Sequence, residues 1–133
     1  MPYDIPPAYH APAPAHLVSH NGSLMQVTSQ GNGAITISYV DPKPELWPVG
    51  VRPGTILLRG TWDFKQRTIE ATAVVFTFAC GAVPYGVGGT INSAGVLTLV
   101  GAAPVIDPWH CITVGWTWAS ANASLVFIPW RQP

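Results

Sequence analysis

Three side chains give the sequence its clearest potential for catalysis: His20, Asp107 and His110. Together with a serine such as Ser19 or Ser23, an imidazole and a carboxylate could form a triad in which the histidine accepts the serine proton. The chain has no Gly-x-Ser-x-Gly turn to present the serine, and nothing marks an oxyanion hole. A small enzyme using these residues on an apolar substrate therefore remains an alternative, and the main expectation is a non-catalytic protein.

Carboxylate pairs and metal clusters are indicated even less. Glycoside hydrolysis needs two facing carboxylates, and Glu70, which lies within a predicted strand, is expected to point outward beside an arginine. The two cysteines lack the Cys-x-x-Cys pattern of structural zinc sites. The four histidines do not have the spacing of a metal motif: His10, His16, His20 and His110. We expect no cofactor and no metal, with a metal-binding role for the tail histidines left open.

Cys80 and Cys111 are the two cysteines of the chain. A disulfide between them would close a loop of about 32 residues and stabilise the fold by roughly 3–4 kcal/mol. The alternative is a pair of buried free thiols in a cytosolic protein. We favour the disulfide, which indicates an oxidising compartment, and expect a periplasmic or secreted protein whose signal peptide has been removed.

Six tryptophans are the most informative side chains. Trp62 and Trp116 lie in predicted strands, where we expect them to pack in the core. Trp47 and Trp109 lie next to prolines outside the strands, and aromatic rings in such loops bind sugars, peptides or apolar ligands. These two are therefore candidates for a binding site.

The elements that must position these residues are short strands. Fourteen prolines and thirteen glycines disfavour helices, and apolar residues alternate with Thr and Ser between turn sequences. Eight strands are predicted, at 23–29, 34–40, 55–62, 67–78, 86–92, 96–102, 111–118 and 123–128. The fold class is all-β, as an antiparallel up-and-down barrel or a two-sheet sandwich.

The loops that follow the even-numbered predicted strands are long and rich in proline, and they carry the aromatic residues. In an up-and-down barrel these loops, 41–54, 79–85 and 104–110, emerge at one end. The short turns at 30–33, 63–66, 92–95 and 119–122 emerge at the other. The sequence thus predicts a binding site at one barrel end, formed by Trp47, Tyr85, Trp109 and His110, for a small apolar or carbohydrate ligand or a protein partner.

Charge is scarce and unevenly distributed. The chain has 6 basic and 6 acidic residues and no net formal charge, so a nucleic-acid partner is excluded by the lack of a basic face. No stretch has the ~20 apolar residues of a membrane helix. After Glu70 only Asp107 and Arg131 are charged, so this half could be a surface for a homo-oligomer, and a self-assembling structural protein is a further alternative.

Residues 1–16 form a separate segment in which five positions are proline. Such a tract is expected to be disordered or extended in the polyproline II conformation, with no core of its own. We therefore divide the chain into this N-terminal segment and a β domain at 17–133.

Four stretches of the domain resemble a small β domain found in exported proteins of rhizobia-like alphaproteobacteria, sometimes beside a caspase-like peptidase domain. They are HNGSLMQV at 20–27, GVRPGT at 50–55, FACGAVPYGVGG at 78–89 and LVGAAPVID at 99–107. The resemblance covers residues 19–128 and implies an exported domain with Cys80 bonded to Cys111. It implies no particular activity, and the tryptophan richness of this chain departs from the pattern.

Overall fold

The structure, a computed structural model, describes residues 15–130. These residues form ten β-strands and two short 3₁₀ helices, Pro44–Val49 and Ala121–Ala123, which confirms the all-β class. Of the predicted N-terminal segment, residues 1–14 lie outside the described residues, and Ala15 and His16 already belong to the first strand. The strands are β1 Ala15–His20, β2 Ser23–Ser29, β3 Ala34–Asp41, β4 Ile56–Asp63, β5 Thr68–Thr77, β6 Gly81–Ile91, β7 Leu97–Val100, β8 Ala103–Asp107, β9 Ile112–Thr117 and β10 Ser124–Pro129.

Eight of the strands close into an antiparallel barrel in the order β1-β10-β7-β6-β5-β4-β3-β2. The barrel alternative is thereby confirmed over the sandwich. β1 closes it, because it pairs with β2 on one side and with β10 on the other. The remaining two strands, β8 and β9, pair only with each other and form a separate hairpin between β7 and β10.

Apolar side chains pack against one another inside the barrel. In β3, Ile35, Ile37 and Tyr39 are buried while the alternate positions are only partly covered, as the period of two of a strand requires. Met25 and Phe127 are fully buried with them. Burial of each such side chain contributes roughly 1.5–3 kcal/mol, so this apolar interior is the main source of stability.

Glycine permits the close strand contacts of the barrel wall. A Cβ atom on Gly89 would collide with the backbone carbonyl oxygen of Thr98 on β7, so no larger residue fits there without movement. A Cβ atom on Gly86, three residues earlier in β6, would meet nothing within 4 Å. The close approach of β7 therefore requires glycine at position 89, while Gly86 is not required on these grounds.

The loops divide between the two ends as the strand order dictates. One end, the ribbon end, carries the long loop between β3 and β4, the tight turn between β5 and β6, and the whole segment between β7 and β10. The other, the turn end, carries the short connections at 30–33, 64–67 and 92–96. Long aromatic loops and short polar turns are thus separated as predicted, except that residues 119–122 lie at the ribbon end.

The predictions for one strand and two loops are wrong in detail. The predicted strand at 111–118 belongs to the separate hairpin and not to the barrel, and the eighth barrel strand is β1, which the sequence analysis missed. The predicted loop at 79–85 is mostly strand, because β6 begins at Gly81. The predicted loop at 104–110 contains most of β8.

The predicted disulfide between Cys80 and Cys111 is confirmed. β4 pairs with β5 only as far as Ala73, so residues 74–84 of the β5–β6 hairpin extend beyond the last β4–β5 pair. The bond joins the turn of this extension to the tip of the β8–β9 hairpin. We refer to residues 103–118 as the aromatic ribbon and to residues 74–84 as the β5–β6 extension.

Candidate functional site

Asp107 and His110 lie together at the exposed tip of the aromatic ribbon. The Nδ1 atom of His110 is 2.7 Å from Oδ2 of Asp107, and the backbone N–H of Trp109 donates to Oδ1 at 2.9 Å. The hydrogen bond from His110, followed by that from Trp109, lowers the pKa of Asp107 below its usual value. This pair caps a tight turn, since the N–H of Cys111 also donates to the carbonyl oxygen of Asp107.

His20 lies apart from this pair, at the inner side of the ribbon end. It is 7% exposed, its ring stacks on Phe127 with centroids 4.5 Å apart, and its Nδ1 is 2.9 Å from the carbonyl oxygen of Val126. Burial lowers the pKa of His20. It lines a cavity of ≈ 310 Å³ whose lining includes neither Asp107 nor His110. The three predicted catalytic residues are therefore not gathered in one pocket.

Of the two serine candidates, Ser23 lines that cavity, and its hydroxyl oxygen already has a hydrogen-bond partner. Ser23 is 3% exposed, and its hydroxyl oxygen accepts a hydrogen bond from the backbone N–H of Lys43 at 2.9 Å. This contact holds the start of the β3–β4 loop against β2. Within residues 15–130, no three His, Cys, Asp or Glu side chains stand close enough to hold a metal ion together.

Trp47 lies at the ribbon end and is 48% exposed, so it is open to solvent as its position outside the strands suggested. It belongs to the first 3₁₀ helix, which begins at Pro44 and stops at Gly50, a residue with a φ of 92°. The guanidinium carbon of Arg52 lies 4.0 Å from the centre of its ring. A cation above the ring, with Nη1 donating to the Trp47 carbonyl oxygen at 3.0 Å, holds the indole in one orientation.

Tyr85 points into the barrel. It is 3% exposed, and its hydroxyl donates to the carbonyl oxygen of Asn122 at 2.5 Å. Burial raises the pKa of Tyr85 to about 12. Its contacts are structural ones, because they tie β6 to the second 3₁₀ helix, and the side chain offers no surface to a ligand at the ribbon end.

Several of the exposed large apolar side chains lie on the aromatic ribbon. Ile112, Val114 and Trp116 of β9 and Trp118 just after it occupy every second position and are between 54% and 67% exposed. Trp109 at the ribbon tip is 89% exposed, and Phe78 in the turn of the β5–β6 extension is 84% exposed. The expectation that Trp116 packs in the core is wrong. The alternation that identified the strand does not reveal that its apolar face lies outside the barrel.

β9 also has an open edge. Among the described residues it pairs only with β8, so the backbone N–H and C=O groups along its other side have no strand partner. Natural sheets usually protect such an edge with lysine, proline or a bulge. β9 has no charged residue and no proline, and its one neighbouring acid, Asp107, is held by His110. Its pairing with β8 does contain one bulge, at Val114, where the register shifts by one residue.

No protein-family model, curated protein or solved structure matches this chain. No helix within residues 15–130 has both the length and the apolar character needed to cross a bilayer. The fold and site define a disulfide-linked β-barrel that presents an uncovered aromatic strand at one end.

Proposed function

We propose that the protein is an exported, non-catalytic binding module that captures an extended segment of a partner protein on β9 of the aromatic ribbon. The observation that carries this proposal is the combination of an unpaired strand edge with exposed apolar side chains at every second position of the sequence, Ile112, Val114 and Trp116 in β9 and Trp118 just after it. Strand addition uses both features, because backbone hydrogen bonds provide affinity and alternate side chains provide selectivity.

The alternatives fit these features less well. A bilayer would accept the apolar side chains but would leave the open edge of β9 without hydrogen-bond partners, which costs several kcal/mol per group. A carbohydrate would need polar groups for its hydroxyls. Half of the row is aliphatic, and the nearby Asp107 and His110 already bind each other. The enzyme alternative gains no support from a geometry that separates His20 from that pair.

Export is part of the proposal. The Cys80–Cys111 disulfide is of the kind that persists in oxidising compartments, and the resemblance to an exported alphaproteobacterial domain points to the same place. The disulfide would hold the ribbon tip, which carries Trp109, to the turn of the β5–β6 extension, which carries Phe78.

A phage-displayed library of random peptides tests the proposal. Selection on the full chain should enrich peptides in which apolar residues alternate, with no charge at the centre. These peptides should lose binding to a double variant, Val114→Thr with Trp116→Thr. They should keep binding to a matched control, Val100→Thr with Ile128→Thr, which changes two exposed apolar residues of the barrel wall.

Backbone methylation of a selected peptide then tests strand pairing itself. An added strand hydrogen-bonds through alternate residues on one edge, so N-methylating three amides on that edge should weaken binding about tenfold or more. Methylating the opposite edge should have little effect. Equal losses on both edges, or enrichment that ignores the ribbon variant, would refute the proposal. Light scattering tests whether a second copy of the chain occupies β9. A dimer that is lost in the ribbon variant and kept in the matched control would overturn the partner proposal.

A further inference from the structure

The cavity that His20 lines at the ribbon end is a concave feature that the partner surface does not use. Its volume is ≈ 310 Å³, at the lower end of the usual range for small-molecule sites. None of residues 103–118 lines it, so it is separate from β9. We refer to it as the ribbon-end cavity. Its large apolar lining residues are Leu46, Val49, Leu57, Val75, Phe76 and Leu125.

His20 offers this cavity a hydrogen-bond acceptor. Its Nδ1 lies 2.9 Å from the carbonyl oxygen of Val126, and because a carbonyl oxygen only accepts, Nδ1 carries the hydrogen. Burial lowers the pKa of His20, which keeps the ring neutral at neutral pH. The other ring nitrogen, Nε2, is therefore an acceptor, and it has no hydrogen-bond partner among the described residues.

Tyr39 offers the same cavity a hydrogen-bond donor. It is 5% exposed, and burial raises its pKa to about 12, so the hydroxyl keeps its proton. Within residues 15–130, the indole nitrogen of Trp62 alone is both fully enclosed and without a partner. The unpartnered Tyr39 hydroxyl and His20 Nε2 therefore retain accessible surface. Because both residues are otherwise covered, these atoms open onto the cavity that the two residues line.

The charged residues of the lining favour no ionised ligand. Lys43 and Glu45 both contribute to it, and they carry opposite charges two positions apart in the loop after β3. An ion of either sign would meet one like charge and would lose its hydration against the aliphatic side chains. An uncharged ligand avoids both costs.

We propose that the ribbon-end cavity binds a small uncharged molecule with an apolar body, which donates a hydrogen bond to Nε2 of His20 and accepts one from the hydroxyl of Tyr39. A phenol with a single ring has this chemistry, because its hydroxyl both donates and accepts while the ring contacts the aliphatic lining. The site shares no residue with the partner surface on β9, so the two proposals stand or fall separately.

Three ligands with the same number of heavy atoms test the proposal on the full chain. p-Cresol can donate and accept, anisole can only accept, and p-xylene can do neither. Amide NMR titrations measure each affinity and locate each ligand, because binding in the ribbon-end cavity should shift the signals of Leu46, Leu57 and Leu125. Tyr39→Phe should weaken p-cresol and anisole roughly two- to tenfold, the value of one neutral hydrogen bond, and should leave p-xylene unchanged.

Tyr85→Phe is the matched control. Tyr85 is the other buried tyrosine among the described residues and does not line the cavity, so its substitution should leave all three affinities unchanged. His20→Phe keeps a ring against Phe127 and removes the acceptor, so it should weaken p-cresol but not anisole. Denaturation curves check that each variant folds. If His20→Phe does not fold, the comparison of Tyr39→Phe with Tyr85→Phe decides.

Several results would overturn the proposal. One is a loss of p-xylene affinity in Tyr39→Phe as large as that of p-cresol, and another is an equal effect of Tyr85→Phe. A third is that folded His20→Phe binds p-cresol as tightly as the unaltered chain does. Shifts confined to residues outside the ribbon-end cavity, or no binding up to the solubility limit of each ligand, would overturn it too, because water would then satisfy the two polar atoms.

Discussion

Removal of the Cys80–Cys111 bond should destabilise the protein mainly through its unfolded state. The two cysteines are 31 positions apart, and opening a loop of that size gives the unfolded chain entropy equivalent to about 3–4 kcal/mol. Few native hydrogen bonds depend on the bond. The N–H of Cys80 donates to Thr77 Oγ1 and that of Cys111 to the Asp107 carbonyl oxygen, so both lie within their own hairpins.

The native state should nevertheless change at the ribbon end. Without the bond, the aromatic ribbon and the β5–β6 extension can separate, because neither is a paired strand of the closed barrel along its outer length. This added freedom of the native state offsets part of the lost stability, so about 3–4 kcal/mol is an upper value for the fall in the free energy of unfolding. For a domain of this size it corresponds to a fall in Tm of roughly 10–15 °C.

The assay compares guanidinium unfolding of the native chain with that of a Cys80→Ser, Cys111→Ser double variant. The free energy of unfolding should fall, and m should rise because the unlinked unfolded chain is less compact. Hydrogen exchange should accelerate in residues 74–84 and 103–117 but not in β2 and β3. A loss below about 0.5 kcal/mol, the size of an ordinary surface change, would refute the loop-entropy reasoning. Unchanged exchange in the two hairpins would refute the claim that the bond holds them together.

Two further predictions concern the barrel itself. Gly89→Ala should destabilise the fold by about 1–3 kcal/mol in chemical denaturation, because the added methyl group meets the Thr98 carbonyl oxygen. Gly86→Ala, the matched control, should change the free energy of unfolding by no more than roughly 0.5 kcal/mol. Equal effects of the two substitutions would contradict the packing argument. The buried His20 has a lowered pKa, so the unfolded chain binds a proton that the folded chain does not, and stability should decline as the pH falls below about 6.5. Replacement of His20 by Gln should flatten that decline in denaturation curves recorded between pH 7.5 and 5, and an identical pH profile in the variant would show that other groups are responsible.

Local alternation predicted most of the barrel but not the membership of every strand. β3 follows the pattern closely, since Ile35, Ile37 and Tyr39 all face inward. β1 was missed because it begins within a proline-rich tract, and its closing role depends on β10 at the far end of the sequence. The sequence of β9 alternates as that of β3 does, yet its apolar side chains are uncovered. Periodicity reports that a strand has two faces and says nothing about what covers either one.

The candidate site was predicted in part for the same reason. The separation of long and short loops was predicted from whether each loop follows an odd-numbered or an even-numbered strand. The prediction holds because the aromatic ribbon adds two strands, which leaves the alternating direction of the barrel strands unchanged. Trp47 and Trp109 are exposed because they lie outside the barrel strands. Tyr85 is buried by a contact with Asn122, 37 positions away, and no local pattern reveals such a partner. A cavity of ≈ 610 Å³ at the turn end likewise combines residues from all eight barrel strands.

The seam between β1 and β10 constrains how the chain reaches this fold. His20 and Val126, which meet across that seam, are 106 positions apart. Bringing them together costs more chain entropy than closing any hairpin of the sheet, so the seam forms late in folding. Until β10 has been synthesised and has docked, β1 and β7 are both open edges. During biogenesis the protein is therefore an incomplete sheet with two unpaired strand edges, which can pair with other chains. The docking of β10 covers both edges at once.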